Sequence, residues 1–261
     1  MIPSKYQTLL LMLSGLTSAI AFIVSWGGIL SPQIYLPFTP SQILPGAISQ
    51  DIISVIASLG IVVCAIAIQR GVNRAWLIWL GLLGYLFYGY ALYALDAIYN
   101  QFFLAYIAIV GLTVYTVIIF FAHVNLDYYQ RITERSKPRR VIAIYLLFLF
   151  TLFNIVWLSQ ILPAIGSGLQ SGVNTVFVLD LAFFLPLLAI CAVLLLHRKP
   201  FGDLLAPVIL IKAGTLGVSV FFGELLKPQF GQTIDPFMVG LFAVMGFASL
   251  AFARLALTQF G

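Results

Sequence analysis

Two ionisable residues stand deep inside long apolar runs of this chain. Asp180 lies within NTVFVLDLAFFLPLLAICAVLLL, and Lys212 within LLAPVILIKAGTLGVSVFF. A carboxylate or ammonium in hydrocarbon costs roughly 2.5–3.5 kcal/mol even on lenient insertion scales, so such residues pair, line a wet cavity or carry function. At ~1.5 Å per residue, Asp180 falls ~10 Å and Lys212 ~18 Å below one edge of their runs. Counting from the basic turn His197-Arg198-Lys199 between the runs separates them by ~12 Å instead. Two readings stay open for the pair: a buried ion pair that fixes helix register, or a cavity-lining pair that binds an ion or solute or relays protons. Thr215, Ser219 and Gly223 share the Lys212 face at helical spacing and extend it as a polar stripe.

A second stripe runs through Tyr85, Tyr88, Asp96 and Tyr99, with Tyr93 flanking. Tyr99 suits a membrane interface, whereas the deeper phenols of Tyr85 and Tyr88 need hydrogen-bond partners. Asp51 follows Ser49 and Gln50 at the expected start of another apolar run, where an acid complements the helix dipole. The candidate ligand-binding set is therefore Asp180, Lys212, Asp51, Asp96, Tyr85 and Tyr88.

The elements that must position these residues are membrane spans. The chain has 261 residues, of which 62% are hydrophobic and 8% charged, with mean hydropathy +1.09. Soluble domains carry ~25% charged residues. The apolar blocks are too long for a globular core and lack the alternation of a β-barrel. They predict an all-α integral membrane protein of eight spans, about 8–30, 50–69, 76–98, 101–123, 141–162, 173–196, 204–224 and 236–257, in a single transmembrane domain covering 1–261. The first run is too long for a signal peptide and lacks an A-x-A cleavage site.

Charge sets the expected orientation. Lys5, Arg70, Arg74, Arg131, Arg135, Lys137, Arg139, Arg140, Arg198 and Lys199 fall in alternate loops, whereas the opposite loops carry Lys227. Positive residues concentrate on the cytoplasmic side, so both termini are expected there. The net charge of +5 reads as this signal and not as a nucleic-acid surface. The segment 124–140 is expected to divide the chain into two four-helix halves. The first outer loop, SPQIYLPFTPSQILPGAIS, is expected to expose Ile34, Tyr35, Leu36, Phe38, Ile43 and Leu44, either at the headgroup interface or as a lid.

Several residues have structural readings. Asp203 is expected to cap its helix and Glu224 to pair with Lys227. Arg254 is expected to snorkel, and Cys64 and Cys191 to pack as small hydrophobes. Pro207 is placed in a first helical turn, and Pro186 is expected to kink its span. No HExxH, GxSxG, Walker A or GxGxxG motif is present. No metal site is expected and no cofactor is indicated; a retinal Schiff base on Lys212 with Asp180 as counter-ion is a minor alternative.

The stretches LPGAISQD, GYLFYGYALYALDAIYNQFFLAYIAI, and FVLDLAFFLPLL with LLAPVILIKAG downstream resemble a group of bacterial polytopic membrane proteins. The resemblance covers about half of the chain. It carries no activity, and implies only that Gln50, Asp51, Asp96, Asp180 and Lys212 are the positions that stand out.

The expected function is binding or transport of a small solute or ion in an outward-facing pocket between spans two, three, six and seven. The expected location is a bacterial inner membrane, with the lipid bilayer as partner. The alternatives are an accessory subunit assembled with other membrane subunits, or a membrane enzyme using Asp51, Asp96 or Asp180 as general acid or base.

Overall fold

A computed structural model of the protein describes residues 2–126, 138–167 and 174–260. Arg131, Arg135, Lys137, the loop positions 168–173 and the side chain of Asn174 lie outside the described residues. Eight helices are long and apolar enough to cross a membrane, and no strand occurs among the described residues. They are α1 Ser4–Leu30, α2 Leu44–Gln69, α3 Ala75–Leu95, α4 Phe103–His123, α5 Arg139–Ser167, α6, α7 Pro200–Leu226 and α8 Pro236–Leu257. Helix α6 runs as Asn174–Leu179, a π-helical turn Asp180–Phe184 and Leu185–Leu196.

The helix number and most boundaries follow the apolar blocks. The exceptions have local causes. Helix α2 starts six residues before the expected Gln50, because Pro45 falls in its first turn, where a missing N–H costs nothing. Asp51 is consequently two turns inside the helix and not at its start. Helix α7 starts at Pro200 for the same reason, which puts Pro207 within the helix and not in its first turn. Helix α5 continues through Pro163. In α6, Pro186 follows the π turn, in which the Leu185 N–H reaches back to the Asp180 carbonyl. The wider turn absorbs the proline as a local bulge within the span.

The chain forms two compact units that differ from two four-helix halves. One comprises residues 1–125 and 207–261, the other 126–206. In the larger unit, α1 packs on α2 and α4, and α3 lies against both α2 and α4. Helix α3 is the most enclosed, with Trp79 fully buried and its indole donating to Ser14 Oγ at 2.9 Å. A Cβ on Gly81 would lie 2.7 Å from Ile211 Cβ, and one on Gly217 would lie 2.7 Å from Gly246 Cα. Small residues therefore permit the close α3–α7 and α7–α8 approaches. Large apolar side chains such as Met12, Ile23, Ile56, Val63 and Leu104 stand exposed on helix faces.

The loop 31–43 folds as two short 3-10 turns, Pro32–Ile34 and Ser41–Ile43. It exposes Leu36, Phe38 and Ile43, but Tyr35 turns inward and is fully buried. Leu44 is likewise buried, as the first residue of α2. In the smaller unit, α5 packs along the Leu185–Leu196 part of α6. Cys191 is buried there, as Cys64 is in the larger unit. Glu224 pairs with Lys227 at 2.7 Å, as its spacing predicts.

Candidate functional site

Helix α2 carries Asp51 into the interior of the larger unit, where it is 0% exposed. Its Oδ2 accepts a hydrogen bond from the Tyr35 hydroxyl at 2.7 Å. Its Oδ1 has no hydrogen-bond partner among the described residues. The Ser25 hydroxyl of α1 faces the same carboxyl and lies 2.6 Å from the Tyr90 hydroxyl of α3. Tyr90 in turn donates to the Ala21 carbonyl at 3.1 Å. Burial, with the Asp51 carboxyl adding to it, pushes the Tyr35 phenol well above its ordinary pKa. Tyr35 therefore stays a protonated donor across the working pH range.

Four tyrosine rings surround this acid. Tyr35 packs on Tyr93 with centroids 5.5 Å apart, Tyr93 on Tyr106 at 5.1 Å, and Tyr90 on Tyr106 at 5.9 Å. Tyr93 donates to the Ala47 carbonyl at 3.2 Å, and Asn100 Nδ2 donates to the Tyr106 oxygen at 2.8 Å. Gly28 completes the wall: a Cβ there would collide with Asp51 Oδ2 and lie 2.5 Å from the Tyr35 oxygen. Gly28→Ala is therefore expected to lower stability by about 1–3 kcal/mol through overpacking. Denaturant unfolding of the purified protein in detergent measures this, and an unchanged midpoint would contradict the close approach.

Tyr85 and Gln50 tie α2, α3 and α7 together one turn away. The Tyr85 hydroxyl donates to the Gln50 carbonyl at 3.2 Å and lies 3.5 Å from Ser219 Oγ. Gln50 Nε2 donates to the Gly89 carbonyl at 3.0 Å, and Ser49 Oγ to the Ser219 carbonyl at 2.5 Å. The expected stripe on α3 is broken at its end. Helix α3 stops at Leu95 with Asp96 as its C-cap, and Ala97 adopts φ 54°, so Tyr99 leaves the helical register. Asp96 and Tyr99 are both exposed.

Lys212 is carried into the larger unit by α7 and is buried. Its ammonium stands over the Tyr88 ring, 3.7 Å from the centroid. Cation–π attraction reaches about 2 kcal/mol when the cation is desolvated. Gly84 leaves room for the lysine stem, since a Cβ there would lie 3.7 Å from Lys212 Cβ. Tyr88 is thus placed with Lys212, and Tyr85 with Gln50 and Ser219.

Asp180 belongs to the smaller unit, where it is buried. Its Oδ2 accepts from the Trp157 indole at 2.8 Å. Trp157 is wedged by Phe153 at 5.9 Å and Phe177 at 5.3 Å. The acid opens the π turn of α6, a distortion that often accompanies function.

The same unit holds a buried ion pair that the sequence did not suggest. Arg139 Nε donates to Asp203 Oδ1 at 2.7 Å and Nη2 to Oδ2 at 3.1 Å. Asp203 is therefore an ion-pair partner in the first turn of α7 and not a cap, and Arg139 is a buried residue and not a loop charge. Sequence reasoning also missed Ser25, Gly28, Tyr90, Tyr106 and Trp157 as neighbours of acids. The signals were faint: Ser25 and Gly28 share a face at i,i+3, and a mid-span indole needs an acceptor.

Among the described residues no cluster of three or more His, Cys, Asp or Glu could hold a metal ion. Comparison of the chain with known protein families, characterised proteins and solved structures finds no match.

Proposed function

We propose that this chain is a multi-pass integral protein of the cell membrane that binds or transports a small solute or ion, with both termini cytoplasmic. The exposed apolar faces of Met12, Ile23, Ile56, Val63 and Leu104 suit lipid contact. The observation that carries the functional reading is the burial of Asp51, Asp180 and Lys212, at 0%, 6% and 7% exposure, in helices of spanning length. Ionisable groups kept inside spans mark ion and solute pathways more often than they serve stability.

Orientation is tested by reporters fused behind α8. A fluorescent protein should be bright and a phosphatase inactive; the reverse pattern would invert the topology. Function is tested by thermal unfolding of purified protein against a panel of inorganic ions, amino acids and sugars. A ligand at 100 times its Kd stabilises by about 2.7 kcal/mol, so at least one compound should raise the midpoint. If none does, and the protein co-purifies in fixed ratio with another membrane protein, the accessory reading replaces this one.

A further inference from the structure

Asp51 is linked to the loop end of the larger unit by a row of hydroxyls. Asn100, half-buried beside exposed Tyr99, donates to Tyr106 at 2.8 Å. The Tyr106 hydroxyl faces that of Tyr35, and Tyr35 donates to Asp51 Oδ2 at 2.7 Å. The two donors at its ends, Asn100 and Tyr35, both point toward the acid. The titratable groups around the carboxyl are phenols, Tyr35 from the loop, Tyr85, Tyr90 and Tyr93 from α3, and Tyr106 from α4, with the Ser25 hydroxyl from α1.

We propose that Asp51 is a proton-binding site, loaded and unloaded from the loop end through Tyr106 and Tyr35. This deepens the solute-or-ion reading, on which it rests, by naming the ion. Hard metal cations demand a shell of about six or more oxygens, whereas Asp51 offers one open oxygen among phenols and a serine. That set suits a proton, and chains of intramembrane acids and hydroxyls are the usual proton relays. In the loading step the half-buried Asn100 amide swings off the fully buried Tyr106 oxygen, and a hydronium ion gives its proton to that oxygen. Tyr106 passes its own proton to Tyr35, and Tyr35 passes its own to Asp51 Oδ2. Each phenol breaks one O–H bond and forms another, so both end neutral. The carboxylate becomes a carboxylic acid, and a water molecule is left.

The test is infrared difference spectroscopy of the full chain in lipid after a pH jump. A protonated-carboxyl C=O band should appear on acidification, vanish in Asp51→Asn and return, shifted, in Asp51→Glu. In Tyr35→Phe and Tyr106→Phe the band should persist but rise about tenfold or more slowly, a modest loss for proton-transfer catalysis. Absence of the band, its survival in Asp51→Asn, or wild-type kinetics in both phenylalanine variants would overturn the proposal. A titrating Asp51 band in a protein that binds no other tested solute or ion and moves none across a bilayer, protons included, would count against the functional reading and leave this site standing.

Discussion

Arg139→Ala is expected to destabilise the protein by about 3–5 kcal/mol, the cost of leaving one member of a buried ion pair alone. The guanidinium grips Asp203 with two hydrogen bonds, at 2.7 and 3.1 Å. Both residues are buried, so water cannot replace the lost donors. Removing both charges has the opposite logic. Arg139→Met with Asp203→Leu restores most of the loss, because packed apolar side chains avoid the desolvation cost. Denaturant midpoints in detergent at constant slope for the single and double variants check this. A single variant with wild-type stability would mean that the pair is solvated.

Lys212→Met is expected to abolish ligand binding or transport while leaving expression and unfolding temperature close to wild type. Methionine keeps the stem that fills the space beside Gly84 and packs well against the Tyr88 ring. What it removes is the charge, whose cation–π partner 3.7 Å away supplies about 2 kcal/mol against a desolvation cost of similar or larger size. Stability should therefore move little and function entirely. Lys212→Arg, which keeps charge but enlarges the head, should retain weakened activity. Normal uptake by Lys212→Met would remove the lysine from the site.

The spans were legible because a bilayer-length apolar block is a one-dimensional property. Helix α8 runs Pro236–Leu257 as its block indicates. The misplaced boundaries are those where a helix continues into proline-containing residues. Pro45 and Pro200 sit in first turns, and Pro163 inside α5. Composition reads such residues as breaks, but helix ends tolerate a missing N–H.

The candidate site was legible residue by residue, not as a constellation. Asp51, Lys212 and Asp180 stood out because charge inside apolar sequence is visible without any fold. Their partners did not. Tyr35 comes from an irregular loop whose proline-rich sequence suggested surface, and it reaches Asp51 only because that loop folds inward. Trp157 lies twenty-three residues from Asp180 in sequence and meets it through helix packing. Arg139 was read as an orientation charge, since nothing local distinguishes a loop arginine from one that turns into the protein to meet an aspartate sixty-four residues away.

Charge displacement on a supported membrane tests the central claim most directly. Proteoliposomes adsorbed on the sensor are exposed to concentration jumps of protons, inorganic ions and charged amino acids. The account predicts a transient current from the wild-type protein for at least one of them, and from Lys212→Met reconstituted at equal density no current beyond the proton step at Asp51. Identical currents from the two proteins, or silence from the wild type toward every probe including protons, would contradict it.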